Sequence, residues 1–277
     1  MIQRWQSEQR GRSASGPVAR ARAAFTLVEL LVAVAIIGTL ASLLLAGVQV
    51  SREMARKTSC SNNLRNQILA VHEFVAAQQR FPAGREYSPL REYSWCVEVL
   101  PQLEQTALYQ RYDRNKPWSD PAGNQSIAQS SLRVFRCASA IKKFPGKTDY
   151  GGIMGSTITV SPGFDFTNGV MIEVGRRRRN YLLPAEIIDG LSQTLALAEC
   201  ADREADAGGL WVSGFNRFSH DNGTVNGPVS DDICSRHPQG AFVGFADGKI
   251  HFLSEHTDGY VVGALCTRNG GEIVSGY

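Results

Sequence analysis

The longest apolar run of the chain lies near its N-terminus. Residues 24–49 read AFTLVELLVAVAIIGTLASLLLAGVQ and contain one charged residue, Glu29. Residues 30–48 form an uncharged stretch of nineteen, and about twenty helical residues at roughly 1.5 Å each span the hydrocarbon core of a bilayer. The pattern predicts one membrane-spanning helix over residues 25–48.

A helical period continues beyond this run, but with polar residues on one side. Apolar residues recur at steps of four, four, three and four, which places them on one helical face. These residues are Cys60, Leu64, Ile68, Val71 and Val75. Pro82 and Gly84 are helix-stopping residues. We therefore predict an amphipathic stalk helix over residues 49–81 that continues the membrane span.

The pattern after residue 82 changes to short strand-like runs between turn residues. AFVGFA and KIHFLS flank Asp247-Gly248, a pair suited to a type I′ turn, and they predict a hairpin. LSQTLALAE, residues 191–199, favours a strand over a helical turn. Residues 82–277 are therefore predicted to form a strand-rich globular domain, and the whole chain an α+β fold.

Charge is distributed unevenly along the chain. The 277 residues carry a formal charge of +3, but residues 1–24 alone hold five arginines and one glutamate. This basic leader predicts a cytoplasmic N-terminus, with everything after residue 50 outside the cytoplasm. The remaining chain is close to neutral, which argues against a nucleic-acid partner. The basic run GRRRRN at 175–180 is interpreted as a solvated loop.

The segment FTLVELLVAVAIIGTLASLLL resembles the N-terminus of type IV pilins and type II secretion pseudopilins. The resemblance implies that a prepilin peptidase cuts between Ala24 and Phe25 and that Phe25 becomes N-methylated. It also implies an assembly role for Glu29, the fifth residue after the cut, as the partner of a neighbouring subunit's terminal amine. Ala24 stands where the family usually has Gly, and Ala46 where it often has Pro.

Four further segments resemble, in the same order, a pilin-like domain of unknown function (DUF1559) that ends in an H-x9-DG motif. They are CSNNLRNQILAVHEF, SWCVEVLPQLEQTALYQRYDRNKPWSD, DGLSQTLALAE and SRHPQGAFVGFADGKIHFLSEH. The motif residues are His237, Asp247 and Gly248. This resemblance implies a pilin-like surface or filament protein. It also implies cysteines at Cys60 and Cys137, which we predict to form a disulfide between helix and domain.

The remaining candidate chemistry is sparse. Six cysteines allow fifteen complete pairings, so the sequence alone selects none. Cys234 and His237 form C-x-x-H, but no second close pair completes a zinc pattern; we predict no metal site and no cofactor. Asp247 is interpreted as a turn residue, since no nucleophile motif accompanies a catalytic pair with His237.

The two resemblances, together with these patterns, imply a non-enzymatic structural subunit of a type IV pilus-like or type II secretion-like assembly. We expect a single-pass protein of the bacterial inner membrane, with a surface filament as a further location. Its expected partners are the prepilin peptidase, other pilin-like subunits and the membrane. Three alternatives stay open: a minor tip or envelope-anchored protein that binds glycan, nucleic acid or protein; a membrane-anchored hydrolase using His237 and Asp247; and an unprocessed anchor with an inert domain.

Overall fold

The computed structural model describes residues 25–158, 167–175, 180–228, 231–272 and 274. The leader 1–24 and the arginines 176–179 of the basic run therefore lie outside the described residues. The helices are α1 Leu27–Gln78, α2 Trp95–Glu98, α3 Thr106–Arg111, α4 Asn124–Ala128 and α5 Gly259–Leu265. The strands are β1 Arg85–Ser88, β2 Arg91–Ser94, β3 Tyr150–Gly155, β4 Glu173–Val174, β5 Leu195–Glu199, β6 Arg217–Ser219, β7 Gly240–Phe245 and β8 Ile250–Ser254.

The N-terminal helix α1 confirms the prediction of one long helix. By length and composition its first part is apolar enough to cross a membrane. Large apolar side chains there are more than half exposed, among them Leu30, Leu40 and Leu43. Such a surface requires lipid or other apolar helices to cover it.

Helix α1 ends at Gln78, three residues before the predicted limit of the stalk segment at residue 81. Gln79 has a positive φ of 54°, and a left-handed residue directly after a helix is a common way to end it. The helix therefore ends before Pro82 is reached. Arg80 then lies over the ring of Tyr181, 3.5 Å from its centroid, and pairs with Glu98 at 2.9 Å, which fixes the chain as it leaves the helix.

From Val50 onward the chain forms one compact unit with all the strands. The predicted apolar stripe is buried at its first four positions, where the exposed fractions are 0% for Cys60, 0% for Leu64, 1% for Ile68 and 0% for Val71. The fifth position, Val75, is half-buried. Lys57 adds a polar contact, because its Nζ donates to the carbonyl of Pro238 at 3.0 Å. This part of α1 is a core helix of the domain.

Two sheets complete the α+β fold. The smaller has the strand order β2-β1-β4, and the larger has the order β6-β3-β5-β7-β8. The two REYS tetrapeptides are β1 and β2, which pair antiparallel with Arg85 opposite Ser94. In the larger sheet β3 and β6 are parallel, while the other neighbours are antiparallel. Strand β5 confirms the strand interpretation for the second half of residues 191–199.

The predicted hairpin is present as β7 and β8, with Gly244 opposite Ile250. Its turn differs from the predicted type I′, which needs positive φ at both central residues. Gly248 has a φ of +93°, but Asp247 does not have a positive φ. The Gly248 N–H donates to the carbonyl of Phe245 at 3.0 Å. This is a type I turn followed by a left-handed glycine, the usual three-residue hairpin loop.

Candidate functional site

The start of α1 holds the residues predicted for processing and assembly. Ala24 lies outside the described residues, whereas Phe25 is 72% exposed. The Thr26 amide and hydroxyl both donate to Glu29 Oε2, at 2.9 and 2.7 Å. The Glu29 amide donates back to Thr26 Oγ1 at 3.2 Å. These reciprocal bonds form a capping box, so within one chain the Glu29 carboxylate stabilises the first turn of the helix.

A second site lies inside the domain, beside α1. Four buried side chains bring their donor atoms within 4.8 Å of one another: Cys60, Cys137, Glu199 and His237. Each comes from a different segment. Cys60 is on α1, Glu199 ends β5, and His237 precedes β7, while Cys137 follows the 3-10 turn Arg133–Phe135. We call this set the Cys-Glu-His cluster.

The cluster is tightly connected. The two sulfurs of Cys60 and Cys137 are 2.6 Å apart, and Cys137 Sγ lies 3.4 Å from His237 Nε2. The same Nε2 lies 3.5 Å from Glu199 Oε1. The amide of Ala138 donates to Cys60 Sγ at 3.1 Å. The structure thus places the predicted cysteine pair in contact, and the disulfide itself stays a prediction.

Glu53 connects the cluster to α1 a second time. Glu53 lies seven residues before Cys60, a separation of about two helical turns, so the two side chains are on the same face of α1. Its Oε1 is 2.7 Å from His237 Nδ1. Arg56 Nε donates to the other oxygen of Glu53 at 2.8 Å. Both nitrogens of the buried imidazole therefore face acidic groups.

These contacts shift the proton affinities of the cluster. Burial lowers the pKa of His237, but the contacts with Cys60, Glu199 and Glu53 outweigh it and raise this pKa to about 10. Contact with Cys137, opposed by burial, lowers the pKa of the Cys60 thiol to about 4. Burial raises the pKa of Glu199. With both thiols reduced, the cluster therefore favours a Cys60 thiolate beside a cationic His237.

A buried charged network holds the loop that carries Cys137. Asp149 Oδ2 accepts from the Cys137 amide at 2.9 Å, and Lys147 pairs with Asp149. Asp202 accepts from the amides of Ile141 and Lys142, at 2.9 and 2.8 Å. Asp202 is 3% exposed, so its carboxylate fixes the loop from inside the protein.

We expect Asp202→Asn to destabilise the protein by about 2 kcal/mol at neutral pH, because charged acceptors in buried hydrogen bonds contribute roughly 1.5–3 kcal/mol each. Burial raises the pKa of Asp202, but Arg236, the Lys142 amide and Lys147 outweigh it and lower this pKa below its ordinary 3.8. The stabilising contribution of the Asp202 carboxylate is therefore present above about pH 4. It is lost as the pH falls through the lowered folded-state pKa.

Thermal unfolding of the full-length protein in detergent, measured from pH 3 to pH 7, checks this prediction. The difference between wild type and Asp202→Asn should be constant from pH 5 to 7 and should shrink below about pH 4. Asp206→Asn is the control, since Asp206 is exposed. A difference that persists unchanged at the lowest pH contradicts the role of the Asp202 charge.

The structure separates the two ends of the H-x9-DG motif. His237 precedes β7 and Asp247 follows it, and a six-residue strand is about 20 Å long. His237 belongs to the Cys-Glu-His cluster and contacts Glu53, whereas Asp247 Oδ1 accepts from the Lys249 amide at 3.0 Å within the turn. The two residues therefore form no catalytic pair. Asp247 has the turn role expected from the sequence, and Gly248 supplies the left-handed position.

Thr26, Glu53 and Glu199 were not predicted from the sequence as contributors to these sites. Thr26 and Glu29 have the T-x-x-E spacing of a capping box ahead of an apolar run, a recognisable signal. Glu53 and Glu199 carry no such signal. The cluster's members are at least 38 positions apart in sequence, so no ligand spacing reveals that they meet.

Helix α1 begins with a capping box, exposes apolar side chains over its first part and is buried in a strand-rich domain over its later part. These features define a pilin-like protein with a single membrane-spanning anchor. Two family comparisons agree with this class. The family described as "Prokaryotic N-terminal methylation motif" matches residues 19–45, and the one described as "Protein of unknown function (DUF1559)" matches residues 49–227. The chain belongs to the DUF1559 family. No curated protein and no solved structure matches it.

Proposed function

We propose that this chain is a structural subunit of a type IV pilus-like or type II secretion-like assembly and that a prepilin peptidase cleaves it before Phe25. The observation that carries this proposal is the first part of α1, in which Glu29 is the only charged residue between Phe25 and Val50. The large apolar side chains on every side of this segment are exposed. A helix of this kind has room for neighbours on all its faces.

The role proposed for Glu29 follows from its surroundings. A carboxylate at the centre of a bilayer is unfavourable by about 2.5–3.5 kcal/mol, and less near an interface. The capping box supplies hydrogen bonds but no cation. After cleavage the Phe25 amine of a neighbouring subunit is such a cation. Pairing it with Glu29 sets the axial stagger between subunits, because the contact forms only in one register.

The proposed topology follows from the leader and the helix together. The leader, with its five arginines, stays in the cytoplasm, the first part of α1 crosses the inner membrane, and the domain lies outside it. The assembly that results holds the apolar helices in its centre and displays the domains. A location in a surface filament is compatible with this arrangement.

Photo-cross-linking in cells tests the proposal. A photoreactive phenylalanine analogue in place of Leu40, which is 55% exposed on α1, should cross-link to other pilin-like chains when the prepilin peptidase is active. The matched control is the same variant in cells whose peptidase is inactive, where adducts should disappear. Adducts with lipid alone in both strains would reject the assembly role.

A further inference from the structure

We propose that the Cys-Glu-His cluster, with its thiols reduced, binds one zinc-type divalent metal ion. Cys60, Cys137, Glu199 and His237 supply two sulfurs, one oxygen and one nitrogen, the ligand types that zinc prefers. All four side chains are buried, with 0% exposure for Cys60 and for the side chains of Glu199 and His237. This inference does not depend on the proposed assembly function.

Two of the ligand-to-ligand distances match those of a tetrahedral site. With bonds of about 2.3 Å to sulfur and about 2.0–2.2 Å to nitrogen and oxygen, the ligand atoms of tetrahedral zinc lie about 3.3–3.8 Å apart. The Cys137 Sγ to His237 Nε2 distance of 3.4 Å and the Nε2 to Glu199 Oε1 distance of 3.5 Å match. The two sulfurs, 2.6 Å apart, must separate by about 1 Å. Cys137 lies in a loop, where such a shift needs no change in a helix or strand.

The groups around the cluster are oriented for a cation. Glu199 Oε2 accepts from the Phe242 amide at 2.8 Å. Its Oε1 accepts no hydrogen bond from the described residues and faces His237. Glu53 contacts Nδ1 of His237, which orients Nε2 toward the two sulfurs. A carboxylate on the far nitrogen of a metal-binding histidine is the usual outer partner in zinc sites.

Charge also favours a bound cation. Two thiols and two carboxyl groups face only two bases, the imidazole of His237 and the guanidinium of Arg56, which pairs with Glu53 at 2.8 Å, so the reduced cluster contains more acidic than basic groups. A divalent ion bound by both thiolates and by Glu199 removes this imbalance. Because the reduced cluster holds a Cys60 thiolate and a cationic His237, binding of the ion releases the Cys137 thiol proton and the Nε2 proton of His237 to solvent.

Four protein ligands leave no open coordination position, so the site is structural rather than catalytic. The ion would join α1 to the Cys137 loop, to β5 and to the start of β7. The disulfide predicted for Cys60 and Cys137 uses the same sulfurs, and its formation excludes the ion. Metal binding is therefore a property of the reduced chain.

Cobalt titration of the full-length protein in detergent tests this inference. The protein is reduced with a phosphine, which is then removed, and Co²⁺ is added without oxygen. We expect one Co²⁺ per chain, with thiolate-to-cobalt charge-transfer absorption, the visible bands of tetrahedral cobalt, and displacement by Zn²⁺. Glu53→Gln should weaken binding about 10–100-fold with the same bands, because it alters only the outer partner of His237.

Ligand and control variants complete the test. Cys137→Ser and His237→Ala should each remove the tetrahedral spectrum, whereas Cys266→Ser, which changes a buried cysteine outside the cluster, should leave it unchanged. The wild-type titration is decisive even if a ligand variant fails to fold. Folded, reduced wild type that gives no thiolate–cobalt absorption overturns the inference and leaves the pair a disulfide only. Bands that survive both ligand variants overturn it as well.

Discussion

Glu29→Gln is expected to give a chain that is processed, inserted and folded but does not assemble. The substitution removes the negative charge that we propose pairs with the Phe25 amine of a neighbour. Removing one partner from a desolvated ion pair leaves the other charge uncompensated, which costs about 3 kcal/mol. That corresponds to roughly a hundredfold weaker association. The measurement is the fraction of Leu40 cross-linked adducts, or of sheared filament material, relative to wild type.

The capping box makes this variant a sharp test. Gln is also accepted at this position of a capping box, so Glu29→Gln retains the hydrogen bonds of the first turn and changes only the charge. Thr26→Ala is the matched control. It removes the capping hydroxyl at about 1 kcal/mol of helix stability and keeps the carboxylate, so it should still assemble. Wild-type assembly by Glu29→Gln would show that the residue serves its own helix alone.

Leu64→Ala is expected to destabilise the domain by about 3 kcal/mol, within the 2–5 kcal/mol typical of buried leucines. Leu64 is fully buried on the part of α1 that packs into the core. For a protein of this size the change corresponds to a fall of roughly 6–12 °C in Tm. Thermal unfolding followed by tryptophan fluorescence measures it, because Trp95 and Trp211 are both buried in the same core.

Leu69→Ala provides the comparison within the same helix. Leu69 is 53% exposed, and the two substitutions change helix propensity equally. We expect Leu69→Ala to alter stability by no more than about 0.5 kcal/mol. Equal destabilisation by both variants would mean that α1 does not pack on the domain through its apolar stripe.

Helical periodicity carried the most reliable information in this sequence. The uncharged run and the stripe of Cys60, Leu64, Ile68 and Val71 predicted α1 and the face that it buries, because a long helix repeats the same signal over many turns. The hairpin β7–β8 was predicted for a similar reason, since two alternating runs flank a turn pair. The end of α1 was less predictable: Gln79 in a left-handed conformation carries no distinctive sequence signal.

Contacts between distant segments were not predictable in the same way. The REYS tetrapeptides were too short to indicate a repeat, and their pairing as β1 and β2 depends on the tertiary fold. The Cys-Glu-His cluster depends on four segments that meet only in three dimensions. His237 was singled out by its motif, but its partners Glu53 and Glu199 were not, because a lone glutamate in a helix or a strand looks like any surface acid.

Helix α1 has two parts with different surroundings. Its first part presents an apolar surface with Glu29 near the start, while its later part is a buried core helix that carries Glu53 and Cys60. The disulfide predicted for Cys60 and Cys137, or the proposed metal ion, would link this part of α1 to the rest of the domain.

The most direct test of the central claim is the mass of the mature N-terminus. The protein should be isolated from membranes that contain an active prepilin peptidase and its N-terminal peptide measured by mass spectrometry. The proposed function predicts a chain that begins at Phe25 with a methylated amine. A chain that still carries residues 1–24 under these conditions would contradict it, since no free amine would then lie near Glu29.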